Sequence, residues 1–308
     1  MDYKKPQSTL VQGGAGIYPL TTADQVILAD GSRLEKDGRI SADSAANSAK
    51  LGGKAPEYYL QPRNLLDNSD FRNPVNQRGK SEYSNVAYTY TIDRWKTLDS
   101  GSVTVADGYI VTTKHLVQFM PKHLNGIYTA AAKMLDGTLL IASGAIDTLS
   151  IGDGNTIQAG NDGEMSYFAL RKAGSFLWAA LYEGSYTAET LPPYVPKGYA
   201  AELAECQRYF LALNGNNIGI AHPYVATDAY VTLYVPTRMR AIPTVDPTNL
   251  RISNHDYISD NNASIASVSN IKVYNTVVTF FANTPDTLST GRLYGVSGRD
   301  DVYISADL

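Results

Sequence analysis

The chain has little of what usually pins a small or secreted protein together. Cys206 is the only cysteine in 308 residues, which excludes an internal disulfide and any zinc site built on paired cysteines. Charge is sparse too: 18% of residues are Asp, Glu, Lys or Arg, against ~25% in an average soluble domain. The 26 basic residues face 30 acidic ones for a net charge of −4. No Lys/Arg cluster stands out, so a nucleic-acid partner is not expected. Apolar runs such as Phe176–Tyr182 fall far short of the ~20 residues a membrane helix needs, so no membrane insertion is expected. Met1–Leu10 has no apolar h-region, so no secretory leader is expected either. Together these features suit a soluble protein made in a reducing compartment, or one indifferent to redox.

Phenylalanine is also scarce, at 7 residues, whereas tyrosine numbers 22. A tyrosine pairs a large apolar ring with a hydroxyl that seeks water or a partner, so it suits half-wet surfaces. A Tyr- and Thr-rich chain punctuated by Gly and Pro reads as all-β, with much of its surface built from strand faces.

Three stretches differ in composition. Residues 1–62 hold 16 of the larger apolar side chains (Val, Ile, Leu, Met, Phe, Trp, Tyr), too few to offset the entropy of ordering the segment alone. Only Arg39–Lys50 reads as helical there. The segment is either a disordered tail or an extended piece that orders against other copies or a larger assembly. From Asn64 the pattern becomes β. Val86, Tyr88, Tyr90 and Ile92 alternate with Ala87, Thr89, Thr91 and Asp93, predicting a half-buried strand. Further strands are expected at Val103–Val105, Tyr109–Thr112, Leu116–Met120, Tyr128–Met134, Thr138–Ala142, Met165–Arg171 and Phe176–Tyr182. Turn signals separate them, including Asp107-Gly108, Asn125-Gly126, Asp136-Gly137, Asp153-Gly154 and Asp162-Gly163. Phe176–Tyr182 is apolar on both faces, which places it centrally in a sheet. Leu191–Pro196 reads as a stiff proline linker. A helix is expected at Tyr199–Phe210, with Tyr199, Leu203, Cys206 and Phe210 on one apolar face; Cys206 is then inert packing rather than a nucleophile. Strands return at Ala229–Val235, Ile271–Phe281, Leu293–Val296 and Val302–Leu308. The expected architecture is two jelly-roll-like β-sandwich domains, 63–197 and 198–308, after the extended N-terminal segment 1–62.

The sequence carries no clear catalytic or metal signature. His115, His123, His222 and His255 show no ligand spacing. Gly295-Val296-Ser297-Gly298 misplaces its first glycine for a nucleophile elbow, and Gly52-Gly53-Lys54 lacks the upstream glycine of a phosphate loop. Asp153 to Glu164 copies the ends of a calcium loop, but Gln158 occupies the position that requires glycine. No catalytic residue, metal or cofactor is therefore expected, although a hydrolytic carboxylate pair would leave no local mark.

Four stretches carry a resemblance. The first is Ile17-Tyr18-Pro19-Leu20-Thr21 with Val26–Leu28 and Asp30–Leu34. The second is Ala49-Lys50-Leu51-Gly52-Gly53-Lys54 with Tyr58-Tyr59-Leu60. The third is Asn64–Phe71, then Asn73–Gly79, then Asp93-Arg94-Trp95. The last is Glu202–Phe210 with Met239–Thr244. Together they resemble the tail-fibre or receptor-binding proteins of phages and prophages of Gram-positive bacteria, whose middle module is a carbohydrate-binding-module-like jelly roll. The resemblance implies a virion tail protein, assembled in the host cytoplasm and trimeric. It would attach to tail or baseplate proteins through residues 1–62 and bind a host cell-surface glycan. A purely structural fibre component and a glycan depolymerase are the alternatives. The motifs themselves read as framework: Asp67, Asn68 and Asn76 suit side-chain-to-backbone bonds in turns, and Trp95 suits a place between two sheets.

One strand suggests where a glycan would sit. In Asp228–Val235, Ala229, Val231, Leu233 and Val235 would face a core, leaving Asp228, Tyr230, Thr232 and Tyr234 outside. The tyrosines are expected at the same-face spacing of ~6.5–7 Å. His222 and Tyr224 in the preceding loop, with Asn214, Asn216 and Asn217 before them, would close one side. The same alternation also suits a plain solvated face, or one turned toward a neighbouring subunit.

Overall fold

The computed structural model describes residues 10–12, 15–17, 26–27, 33–34, 62–150, 156–253 and 263–307. The chain divides into two compact units, 1–62 and 63–308. In the first, β1 (Leu10–Gln12) pairs antiparallel with β2 (Ala15–Ile17), and β3 (Val26–Ile27) with β4 (Arg33–Leu34). The helix expected at 39–50 lies outside the described residues.

Among its described residues, the second unit is all-β apart from one α-helix and a single 3₁₀ turn. Its first half holds β5 (Glu82–Val86), β6 (Lys96–Thr97), β7 (Gly101–Ala106), β8 (Tyr109–Thr112), β9 (Leu116–Met120), β10 (Ile127–Met134), β11 (Leu139–Ala145), β12 (Ile157–Asp162), β13 (Met165–Leu170) and β14 (Gly174–Glu183). A six-stranded sheet, β11-β10-β14-β8-β7-β5, and a four-stranded sheet, β12-β13-β9-β6, enclose one core. β14 lies inside its sheet, as its two apolar faces require. The glycines at Asp107-Gly108, Asn125-Gly126, Asp136-Gly137 and Asp162-Gly163 all have positive φ, the conformation that only glycine adopts at no steric cost.

Trp95 is fully buried between the sheets. Its indole N–H donates to Asn68 O at 2.8 Å, and its ring meets Phe71 and Phe168 edge-on at 5.2 and 6.0 Å. Asn68 staples a turn: its amide donates to Val75 O and Asp93 O, and its carbonyl accepts from Val75 N. Asn76 donates to Lys80 O. Asp67 departs from the expected backbone role, because its carboxylate receives Arg94 and Lys197 side chains instead.

The strand expected over Val86–Ile92 ends at Val86. Tyr88 has φ 52° and is exposed, and a tight turn over Thr91–Trp95 buries five consecutive residues. Leu191–Pro196 is not a free spacer. Tyr194 stacks on Trp178 with centroids 4.8 Å apart and planes 4° from parallel, and its hydroxyl lies 3.2 Å from Ser69 Oγ. The proline segment is a strap fastened along the first sandwich.

After the strap, α1 (Tyr199–Cys206) is shorter than expected and turns a different face inward. Glu202 and Cys206 are buried, and so is Tyr209 just beyond the helix; Tyr199 is exposed. The second half then builds β15 (Phe210–Val225), β16 (Asp228–Tyr234), β17 (Thr244–Val245), β18 (Leu250–Ser253), β19 (Ala263–Ser264), β20 (Ser267–Tyr274), β21 (Val277–Asn283) and β22 (Tyr294–Ser305). These form one sheet in the order β19-β18-β22-β15-β16-β21-β20, with β17 also on β22. Its end strands β19 and β20 are consecutive in the chain, joined only by Ile265 and Ala266. The sheet therefore curls so that its two edges approach one another at that link, around a second core including Val231, Leu233, Val278, Phe280 and Ile304. β15 bends at bulges near Gly215 and Gly219. At Gly219 a Cβ would stand 2.2 Å from Thr232 O, so no larger residue fits unless the strands part.

Candidate functional site

β16 runs between β15 and β21, and its alternation is as the sequence predicts. Ala229, Val231 and Leu233 are fully buried, while Asp228, Tyr230, Thr232 and Tyr234 occupy the outer face. Register then fixes their neighbours. Tyr230 lies opposite His222 on β15 and Phe281 on β21. Thr232 lies opposite Ile220 and Thr279, and Tyr234 opposite Val277. One strand further, β20 sets Ser269 opposite Phe281, Lys272 opposite Thr279 and Tyr274 opposite Val277.

The outer face is thus a set of cross-strand rows. In one, Tyr224 and Tyr230 each pack edge-on against Phe281 at 5.5 Å. In another, Tyr234 and Tyr274 flank Val277. Between these two rows runs Ile220, Thr232, Thr279 and Lys272. Tyr230 and Tyr234 are four residues apart with Thr232 between, so at ~3.3 Å per residue ~13 Å separates them. This corrects the expected same-face spacing. Ile220 and Tyr224 on β15, Tyr230 and Tyr234 on β16 and Tyr274 on β20 are each between 38% and 56% exposed, with Val277 and Phe281 of β21 half-buried between them, the kind of apolar patch that marks an interaction site.

The remaining residues are placed differently from expectation. His222 and Tyr224 belong to β15 itself, because residues 210–225 are one long strand rather than a loop. His222 is exposed beside Tyr230. Asn217 (φ 62°) turns toward β22, where its Oδ1 would stand 3.1 Å from a Cβ at Gly295, and Asn214 donates to Asp301 at 3.0 Å. These asparagines do not close over the tyrosines; the side chain of Asn216 lies outside what is described. Asp228 accepts from Asn283 Nδ2 at 3.0 Å and is held at the end of the β16–β21 pair. Phe281, the centre of the aromatic row, escaped sequence reading. Its signal is the alternation of Thr279, Phe281 and Asn283 with Val278, Phe280 and Ala282, blurred by the adjacent phenylalanines.

Chemically, this face offers rings for the apolar side of a ligand, with hydroxyls and a carboxylate between and beside them. Among the described residues, no group of three or more His, Cys, Asp or Glu side chains is placed to hold a metal ion. Ser297, of the rejected elbow, is a ladder residue of β22 opposite Arg251. The Cys206 thiol is buried and free, and burial pushes its pKa well above the ordinary value, the opposite of a nucleophile's environment.

A second cluster joins the two halves of the unit, and it is built from the charged motif residues. Gln77 donates to Asp93 Oδ2 and to Phe210 O. Arg78 pairs with Asp93 at 3.3 Å and Asp307 at 2.9 Å, with its guanidinium 3.6 Å from the Phe210 ring centroid. Arg94 pairs with Asp67 and stacks 3.4 Å from the Tyr209 centroid. Glu202 accepts from Asn68 N at 2.7 Å. Burial raises the Asp93 pKa to about 6, against the opposing pull of Gln77 and Arg78, and burial raises those of Asp307 and Glu202 as well. Raised carboxyl pKa values can mark catalysis; here Asp93 is fully buried and its partners are framework, so the cluster reads as a joint. No family model matches this chain, and none of the curated proteins or solved structures compared with it matches either.

Proposed function

We propose that the protein is a receptor-binding component of a phage tail fibre, or of a phage-tail-like particle, that binds a host cell-surface glycan through the outer face of β15, β16, β21 and β20. Residues 1–62 attach it to tail or baseplate proteins, and it takes its place on the virion tail after assembly in the host cytoplasm. The observation that carries the binding reading is the row of Tyr224, Tyr230 and Phe281 beside exposed Tyr234 and Tyr274. Rings held upright by a rigid sheet present faces for sugar stacking at little entropic cost. The motif resemblance supplies the fibre context.

Incubating the full chain with purified envelope of a susceptible host tests this. The expected result is co-sedimentation with the envelope and no release of reducing sugar. Release would identify a depolymerase, and neither binding nor release a structural fibre component.

The chain is further proposed to form a homotrimer, in which neighbouring copies cover the apolar residues of the poorly apolar 1–62 segment. Light scattering of the full chain at micromolar concentration is expected to give the mass of three chains of 33.4 kDa each. A monomer contradicts the proposal.

A further inference from the structure

From the outer face of the C-terminal sheet we infer that the glycan site takes an uncharged sugar chain, and that Thr279 supplies a hydrogen bond that reads it. The inference rests on the glycan-binding reading above and adds the ligand class and a specificity-determining residue.

The first observation is Thr279 itself. Its neighbours Val278 and Phe280 are fully buried in the core, so alternation puts Thr279 on the outer face, in the row between the two aromatic rows. It is nevertheless only 6% exposed, and its hydroxyl oxygen has no hydrogen-bond partner. A buried hydroxyl left unbonded costs stability that valine, of the same shape, would not. Threonine at this position is explained if the missing partner arrives with a ligand. Lys272 lies directly across from it on β20 as an exposed, rotatable side chain that can swing aside, while Thr232, on the other side, adds a second hydroxyl to the same row.

The second observation is charge. Among the described residues of this four-stranded face, the titratable groups other than tyrosine are His222, Asp228 and Lys272, and Asp228 is already engaged by Asn283. Phosphate- and carboxylate-bearing polymers are recognised by clustered Arg and Lys with several donors converging on each anion. One lysine beside one acid matches an uncharged ligand: ring faces on Tyr230 and Tyr234, hydroxyls over Thr232 and Thr279.

The test uses the full chain on an array carrying neutral gluco-, galacto-, manno- and rhamno-oligosaccharides beside uronate-, sialate- and phosphate-bearing ones. Binding to neutral members is expected. Thr279→Val should weaken it about tenfold, the equivalent of one lost hydrogen bond of ~1.4 kcal/mol, with Tm unchanged or raised. Thr279→Ser, which keeps the hydroxyl, should retain most of the affinity. Binding confined to charged members overturns the inference but leaves glycan binding standing, as does neutral binding that Thr279→Val does not alter. A lower oligomer mass in Thr279→Val would assign the face to a subunit contact and also overturn it. Binding to no member, charged or neutral, overturns the glycan-binding reading with it.

Discussion

Replacing Trp95 by alanine is expected to remove about 3–5 kcal/mol of folding stability, the range for deleting a large buried aromatic. Three losses coincide at this position. The indole is fully buried between the two sheets, so its removal leaves a cavity that rigid strands cannot collapse into. Its edge-on contacts with Phe71 and Phe168 disappear. Asn68 O loses the indole donor inside a turn whose other bonds depend on Asn68. Thermal unfolding should show a Tm fall on the order of 10 °C, and Trp95→Phe a smaller one. A loss below ~1 kcal/mol would contradict the placement of Trp95 at the centre of the sandwich.

The second large effect is an inverted pH dependence from the buried joint. The Asp93 pKa is raised to about 6 in the folded chain, against ~3.9 in an unfolded one. The native state therefore holds this proton more tightly than the unfolded state. The resulting stability is fully present below the unfolded pKa and is lost as pH rises through about 6. Two pKa units correspond to about 3 kcal/mol, and Asp307 and Glu202 shift in the same direction. Asp136 and Glu189, held below their ordinary values by bonds at Thr138 and Thr187, give the opposite slope, felt only in more acidic solution. The protein should accordingly melt higher at pH 5 than at pH 7.5, and Asp93→Asn should flatten most of that difference. A wild-type Tm that falls toward pH 5, with Asp93→Asn running parallel, would contradict the account of the joint.

Much of the β architecture was legible because hairpins announce themselves locally. Strands at Tyr109–Thr112 and Leu116–Met120 coincide with β8 and β9, and the glycine turns around them carry the expected positive φ. The failures share a cause, which is tertiary contact overriding local pattern. The alternation that begins at Val86 runs on through Asp93, yet Thr91–Trp95 is buried at every position, because Asp93 and Arg94 are neutralised by partners distant in sequence. His222 and Tyr224 read as a loop preceded by asparagines, whereas they belong to a 16-residue strand bent by bulges near Gly215 and Gly219. The helix hides Glu202 rather than Tyr199 because its packing partner is a backbone N–H of Asn68, which no helical periodicity records. At the candidate site, β16 was readable from alternation alone. Phe281, Thr279 and Tyr274 were not attached to it, since only register says which residues of β21 and β20 stand beside it.

The most direct test of the central claim is binding of the full-length Tyr230→Ala/Tyr234→Ala double variant to purified host envelope, measured alongside Tm and oligomer mass. Both rings lie on the outer face of β16, and Tyr234 is more than half exposed. The account predicts that binding is lost while Tm moves by only a few degrees and the oligomer mass is unchanged. Envelope binding equal to that of the unsubstituted protein would contradict it.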